Sequence, residues 1–526
     1  MRFLMPSLAS ICLLLSSCHQ AAGPAVEVAT QGTVTKIDSA ATEKNGDLIE
    51  ETWDAYSMQG VRVGYAHTTV SKTEENGQSL ILTKSQIHLS FTRSGQTIVQ
   101  EMTMTSCDTA DGRLVRFESR MNASVGDVVS IGAVRGNELG IDTTTLGRTH
   151  SQKIPWQPEW GGLFATDQSL RKKPLKPGEK RTIRSLSPDC SRAADTHFAA
   201  LDYETVDLTG DTVTRSVSEG NRRQKLLKIN CILELGPQKI DSVVWTNDQG
   251  EVLKTVVPGL QQEVVRTTKA DALKPADAKF DLLVASTVPL KQELPNAHTT
   301  RRAVYRAHLK SGQIAGLFDH GLSQQVAPLD EQTAQITVSA IRPNHPAKID
   351  PAIKVAPPTS EDVSPSNFIQ SDDIVITQMA ARVAPTETDP WKTACALEKF
   401  VAETVHDKNF STAFATAAEV ARSLEGDCTE HAVLLTALLR VKKIPARTAF
   451  GLVYYPPYHG FDYHMWTEAW ITDRWIPLDA TLGIGGIGAD HIKLGHSSLS
   501  TGTPMSDLLG VIQAFGRLEL ELLEVE

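Results

Sequence analysis

The stretch Gly426-Asp427-Cys428-Thr429-Glu430-His431-Ala432, running on into Leu434, Leu435, Leu438 and Leu439, decides how this chain is read. Leucines at i, i+1, i+4 and i+5 make one apolar helix face, so a buried helix begins here. Asp427 is suited to cap that helix, which puts Cys428 in its first turn. There the helix dipole and the free N–H groups favour a thiolate, the nucleophilic form of cysteine. A lone cysteine in such a place is ordinarily packing. This one has partners downstream.

His464-Met465-Trp466-Thr467-Glu468-Ala469-Trp470 alternates as a strand, with His464, Trp466, Glu468 and Trp470 on one face. A tight turn around Asp473 leads into Trp475-Ile476-Pro477-Leu478-Asp479-Ala480-Thr481. A two-residue loop at 472–473 or at 473–474 sets Asp479 opposite Trp466 or Glu468. Opposed residues share a sheet face, so His464 and Asp479 belong on one side. An imidazole steadied by a carboxylate can take a proton from a thiol and later give it to a leaving amine. Cys428 is therefore the candidate nucleophile, His464 the acid/base and Asp479 its orienting group.

These three motifs, with Leu434–Arg440 and Ile444-Pro445-Ala446-Arg447 between them, resemble the transglutaminase-like superfamily. The resemblance covers roughly residues 370–500. It implies a papain-like core, in which a helix bearing Cys packs on a sheet bearing His and Asp, and a thioester formed on Cys428. It also implies a peptide or protein substrate, and leaves hydrolysis and transfer to an amine both open. The superfamily contains members that have lost catalysis, so a binding or scaffolding lipoprotein whose β domain carries the function stays open as the alternative. The Cys428 N–H is the expected oxyanion donor; a second donor is not assigned.

Neighbouring polar residues are weaker candidates. Glu430 and His431 follow the nucleophile on the helix and should point away from it, toward the surface or a supporting role. His459/His464 and His491/His496 have i, i+5 spacing, unlike the i, i+4 of a helical metal pair, so no metal and no cofactor are expected. Trp466 and Trp470 suit a groove wall or a core equally well. Tyr454-Tyr455-Pro456-Pro457-Tyr458 reads as a substrate-side loop or a plain turn.

Outward from this segment, Asp373–Val383, Pro390–Val405 and Ala413–Leu424 read as helices, and Ala394, Leu397, Phe400, Val401 and Val405 share a face of the second. Strands follow at Arg447–Tyr455, His464–Thr472 and Trp475–Leu482. Helices followed by an antiparallel sheet make residues 366–526 an α+β domain. Residues 343–365 hold six prolines and read as a linker. Residues 269–342 form a β-rich bridge. Residues 48–268 alternate with period two, broken by Asn-Gly (76–77), Ser-Gly (94–95) and Asp-Gly (111–112), and read as a large antiparallel β domain.

The N-terminus reads as an export signal. Arg2 precedes an apolar run from Phe3 to Leu15 of thirteen residues, short of the roughly 20 that span a bilayer. Leu15-Ser16-Ser17-Cys18 resembles the lipobox of bacterial lipoproteins, which implies a signal peptide over 1–17 and acylation of Cys18. Residues 18–47 then form a flexible tether. The implied location is outside the cytoplasm, with a lipid anchor holding the chain to a bacterial membrane, at its periplasmic face or the cell surface. Such a compartment permits disulfides, yet the cysteines beyond the signal region are Cys107, Cys190, Cys231, Cys395 and Cys428, an odd number, so at least one thiol stays free.

Composition sets outer bounds. The 526 residues are 41% hydrophobic and 22% charged, which excludes wholesale disorder and coiled coil. The net charge of −10 comes with no long Lys/Arg run, and the short clusters Arg171-Lys172-Lys173 and Arg222-Arg223 read as solvated loop charge, so nucleic acid is not an expected partner.

Overall fold

The structure is a computed structural model that describes residues 46–526 except 76, 94–95, 124–125, 146, 209–222, 237, 275–279, 344–354, 407–414, 501–510 and 512–513. The expected signal peptide, Cys18, the tether as far as residue 45, the Ser-Gly turn, Arg222 and residues 344–354 of the expected linker lie outside the described residues.

An antiparallel β domain is followed by an α+β unit, the class the sequence indicates. Fourteen strands, from Asp47–Met58 to Gln262–Thr267, form one antiparallel sheet in which these first and last strands pair at the centre. The chain meanders outward to one edge at Arg148–Pro155, crosses, and returns from the other edge at Lys180–Leu186. Alternation explains the strands. Val61–Glu75 and Gln78–Arg93 flank the Asn-Gly site, and Gln96–Thr109 and Leu114–Ala123 flank Asp-Gly. Gly77 and Gly112 take φ of 77° and 91°, values that favour glycine. Gly161 bridges to Arg113 and to Ser185, tying the two arms of the sheet together. Between them the helix Ala165–Lys172 borders a cavity of about 880 Å³, lined by Val70, Ile81, Trp160, Phe164 and Arg184 among others.

The C-terminal unit is built around the helix Cys428–Val441, buried along nearly its whole length. A helix that is apolar almost all round belongs in a core. Each fully buried Leu in it contributes about 1.5–3 kcal/mol. Helices Ile374–Arg382, Pro390–Thr404 and Ala417–Ser423 pack on one side of it and the strands Ala446–Tyr455 and Gly460–Trp470 on the other. Thr467 fixes the helix to the sheet: its hydroxyl donates to the Ala432 carbonyl at 3.1 Å. Arg440, buried near the helix end, donates to the carbonyls of Ala446, Ser364 and Ser498 at 2.7–3.0 Å and so clamps three segments together.

Three details differ from the sequence reading. The buried stripe of Pro390–Thr404 is Thr393, Ala394, Leu397, Glu398 and Val401, with Phe400 only half-buried. The strand from Trp475 stops at Leu478, because the Asp479 carbonyl accepts the N–H groups of Leu482 and Gly483 and turns the chain. A further strand, His491–Ser497, pairs with Ala446–Tyr455.

Residues 269–342 join the two parts. Val288–Pro289 adds to the edge of the Gly460–Trp470 strand, and Arg302–Leu309 pairs both with Thr333–Ser339 and with the final strand Leu518–Val525. The C-terminus thus closes a sheet begun before the linker. Among the described residues no helix is long and apolar enough to cross a membrane.

Candidate active site

The start of the Cys428 helix is held by a reciprocal cap. Asp427 Oδ1 accepts the Thr429 N–H at 3.0 Å, and Glu430 Oε2 accepts the Asp427 N–H at 2.9 Å. Gly426 at φ 151° is required here, since a Cβ would lie 2.1 Å from that of Glu430. Glu430 Oε1 also accepts the Ala415 N–H at 2.8 Å, and His431 Nδ1 lies 2.6 Å from the Asp427 carbonyl. Both residues are buried, so of the two expected places, surface or support, they take the second: they build the helix start that presents Cys428.

Cys428 hydrogen-bonds His464, and His464 Nε2 lies 2.8 Å from Asp479 Oδ2. With Nε2 committed to the carboxylate, Nδ1 is the ring nitrogen left for the thiol. All three residues are buried. Burial would push the His464 imidazolium down, but the Asp479 charge and Cys428 outweigh it and raise the ring to about 10. Burial likewise opposes ionisation of Asp479, yet His464 and then His491 hold its carboxyl well below the usual range.

The hairpin that brings His464 and Asp479 together uses the 472–473 loop. Thr472 and Asp473 take φ of 51° and 59°, Trp470 pairs with Trp475, and Thr467 with Leu478. One residue further, Asp479 falls in line with Trp466, diagonal to His464. Trp466 lies 6.1 Å from the His464 ring in a stacked arrangement and edge-on to His491 at 5.3 Å. Trp470 packs on Trp475 at 5.2 Å, away from the thiol pair. The Tyr454–Tyr458 segment turns through a short 3-10 helix, Pro456–Tyr458, into the His464 strand.

Two buried carboxylates brace this arrangement. Glu468 accepts from Lys493 and Arg447, both at 2.8 Å. Glu398 Oε1 accepts the N–H groups of Asp479 at 3.2 Å and Gly486 at 3.1 Å, while burial raises its carboxyl to about 8. Glu398 escaped the sequence reading although a signal was present: it stands four residues after Ala394, a lone carboxylate in an apolar stripe. His491 was missed too. Its Nε2 lies 3.1 Å from Asp479 Oδ2 and its Nδ1 2.9 Å from Asp490 Oδ1. The available signal was the alternation of His491 and Lys493 with Ile492 and Leu494.

His464, Asp479 and His491 bring potential ligand atoms within 4.8 Å of one another, the spacing a cation would need. The 2.8 and 3.1 Å contacts are N–H···O hydrogen bonds to one carboxylate oxygen, and they account for the convergence. Among the described residues no disulfide links Cys107, Cys190, Cys231, Cys395 or Cys428.

A buried cysteine at a helix start, hydrogen-bonded to an imidazole that a carboxylate holds, is the arrangement the sequence resemblance implies. Residues 377–480 match the transglutaminase-like superfamily, so this chain carries a transglutaminase-like domain. No curated protein matches the chain. Among solved structures it is similar to a candidate cysteine protease from Cytophaga hutchinsonii, at 16% identity over 44% of this chain and 85% of that one, with a TM-score of 0.27. It is similar also to a β-barrel-like protein of a domain of unknown function from Brucella abortus, at 6% identity over 41% of this chain and 94% of that one, with a TM-score of 0.28. Likenesses this distant carry no functional assignment.

Proposed function

We propose that the protein is a thiol-dependent amidase or acyltransferase acting on peptides or proteins through a thioester on Cys428. The observation that carries this reading is the hydrogen-bonded series Cys428, His464, Asp479 at the start of a capped, buried helix. The Cys428 sulfur attacks an amide carbon, and His464, holding the thiol proton, gives it to the departing amine. Water or a second amine then attacks the thioester, His464 takes the proton of the attacking group, and the C–S bond breaks to release the acid or new amide and return the Cys428 thiolate. The N–H of Cys428 faces the developing oxyanion as one donor. Hydrolysis is the favoured outcome, since water is always at hand. We further propose that the chain is exported and held to a bacterial membrane by acylated Cys18, a reading supported by the Leu15-Ser16-Ser17-Cys18 sequence.

A second reading, a binding lipoprotein with a silent thiol domain, is favoured by one observation: the 880 Å³ cavity of the β domain. Incubating the chain lacking residues 1–17 with a peptide library, with and without an added amine, separates the readings. Mass spectrometry should find cleaved or amine-linked peptides with the wild type and none with Cys428→Ala. Unchanged peptides with both proteins would favour the binding lipoprotein.

A further inference from the structure

Beyond the end of the family match at residue 480, the hydrogen-bonded series continues. His491 is fully buried between two carboxylates, with Nε2 3.1 Å from Asp479 Oδ2 and Nδ1 2.9 Å from Asp490 Oδ1. An ionised carboxylate accepts hydrogen bonds and donates none, so a ring bonded to one on each side carries a proton on both nitrogens. Asp490 is buried and has a second partner, His298 Nδ1, 2.5 Å from Oδ2. Asp479 accepts the Thr481 N–H on Oδ1 at 2.8 Å and both rings on Oδ2. The result is a line of alternating partners from Cys428 through His464, Asp479, His491 and Asp490 to His298. His298 is supplied by the bridging segment and is about one-third exposed.

We propose that His491, kept as a buried imidazolium by Asp490, is a positioning residue of the thiol site: it holds Asp479 in place and, by its charge, sets the pH range over which Cys428 and His464 exchange a proton. This deepens, and rests on, the reading of Cys428 and His464 as a reactive pair. The His464 and His491 rings are 5.9 Å apart, so a charge on one opposes a charge on the other. A cation here therefore lowers the proton affinity of His464 and stabilises a thiolate on Cys428. Asp490 and Asp479 are both held low, and His491 is raised, as such an arrangement demands.

The other charged or titratable groups around His491 are already engaged. Glu398 accepts the Asp479 amide, and the Tyr305 hydroxyl donates to the Ala489 carbonyl beside Asp490. Lys493, two residues along the strand, pairs with Glu468 and Asp319, and Asp462 accepts from Thr287. Trp466, which carries no charge, packs perpendicular to the His491 ring at 5.3 Å.

Asp490→Asn tests the charge while keeping the shape, because the amide of the introduced asparagine can donate to a neutral His491 whose Nε2–H still reaches Asp479. Histidine side-chain NMR of the chain lacking residues 1–17, recorded with EDTA, should show His491 protonated on both nitrogens from pH 5 to 9 in the wild type. In Asp490→Asn it should titrate within that range. The acid limb of Cys428 alkylation should move up by about one pH unit in Asp490→Asn and in His491→Gln. It should stay in place in Asp490→Glu, which keeps the charge. A merely structural role would lower the amount of reactive protein without moving the limb. A wild-type His491 that loses a proton between pH 6 and 8 overturns the proposal, even if no variant folds; so does a limb that stays put in folded Asp490→Asn. If instead wild-type Cys428 alkylates as an ordinary thiol, the proposed function fails, and the charge state of His491 is still decided by the spectra.

Discussion

The β domain buries Cys107, Cys190 and Cys231 completely and the C-terminal unit buries Cys428 as fully, in different surroundings. Cys107 and Cys231 sit in strands and Cys190 in the turn between Lys180–Leu186 and Ala193–Asp207, and burial pushes all three thiols up, to about 11 for Cys107 and about 12 for Cys231. Cys428 is just as buried but stands at a capped helix start against His464. Burial alone makes a thiol inert; the proposed nucleophile combines burial with a helix N-terminus and a carboxylate-held imidazole, surroundings that favour a thiolate. The difference lies in the neighbours and owes nothing to exposure.

That comparison can be broken most directly at the sulfurs themselves. Cys428→Ala should lower amide turnover by about 10⁴-fold or more, with the far-UV circular dichroism spectrum unchanged. Cys231→Ala should leave turnover within a factor of two and lower stability by about 1 kcal/mol, as expected for a small loss from a packed core. Peptide mass spectrometry after brief alkylation at pH 7 should find label on Cys428 and none on Cys107, Cys190 or Cys231. A labelled cysteine of the β domain would dissolve the contrast.

The next largest effect concerns the braces of the thiol sheet. Glu468→Ala removes the buried carboxylate of Arg447 and leaves Lys493 with Asp319 alone. It should destabilise the C-terminal unit by about 3–5 kcal/mol, the usual result of removing one member of a buried ion pair. Arg266, which pairs with buried Asp54 in the β domain, offers the matching test: Arg266→Ala should lower the melting of that domain and leave Cys428 reactivity alone. Differential scanning calorimetry resolves the two transitions.

pH acts on the same contrast with a definite sign. The folded His464 is raised above its unfolded value, so its stabilising contribution is complete below about pH 6.5 and is lost as pH climbs toward about 10. Asp479 is held low, so its contribution is complete above about pH 4 and is lost as pH falls. The thermal midpoint of the C-terminal unit should therefore fall between pH 7 and 10 in the wild type, and fall less in His464→Ala. The smallest effect is expected at the hairpin loop. Replacing Thr472-Asp473 by Asn-Gly suits two residues with positive φ and should stabilise that unit by about 0.5–1 kcal/mol, measurable as a small rise in its melting temperature.

Much of the C-terminal fold was legible because its signals are local. The leucine spacing after Cys428, the Asp427 cap and the alternation around His464 each specify an element, and the loop length narrowed the pairing of Asp479 to two registers. The N-terminal hairpins were legible for the same reason at Asn-Gly and Asp-Gly. What was not legible depends on contacts between segments far apart in sequence. His491 shows only as the polar side of a short alternating strand, and nothing local says that its ring meets Asp479. His298 lies 192 residues before Asp490, in a segment whose sequence suggests a bridge and carries no sign of a site. Glu430 and His431 were left between surface and support because helix geometry shows that they point away from Cys428, but not that the Ala415 amide, far back in the sequence, meets Glu430. Glu398 was overlooked because an apolar stripe was counted by its apolar members alone.

The central claim, that Cys428 and His464 form a working proton-exchanging pair, is tested most directly by the pH dependence of Cys428 alkylation in the chain lacking residues 1–17, beside its His464→Ala variant. The account predicts a wild-type thiol that reacts as a thiolate well below the pH of about 8.5 at which a free cysteine ionises, and a variant whose reactivity moves up toward that value. A wild-type titration near that value, unchanged by His464→Ala, would contradict it.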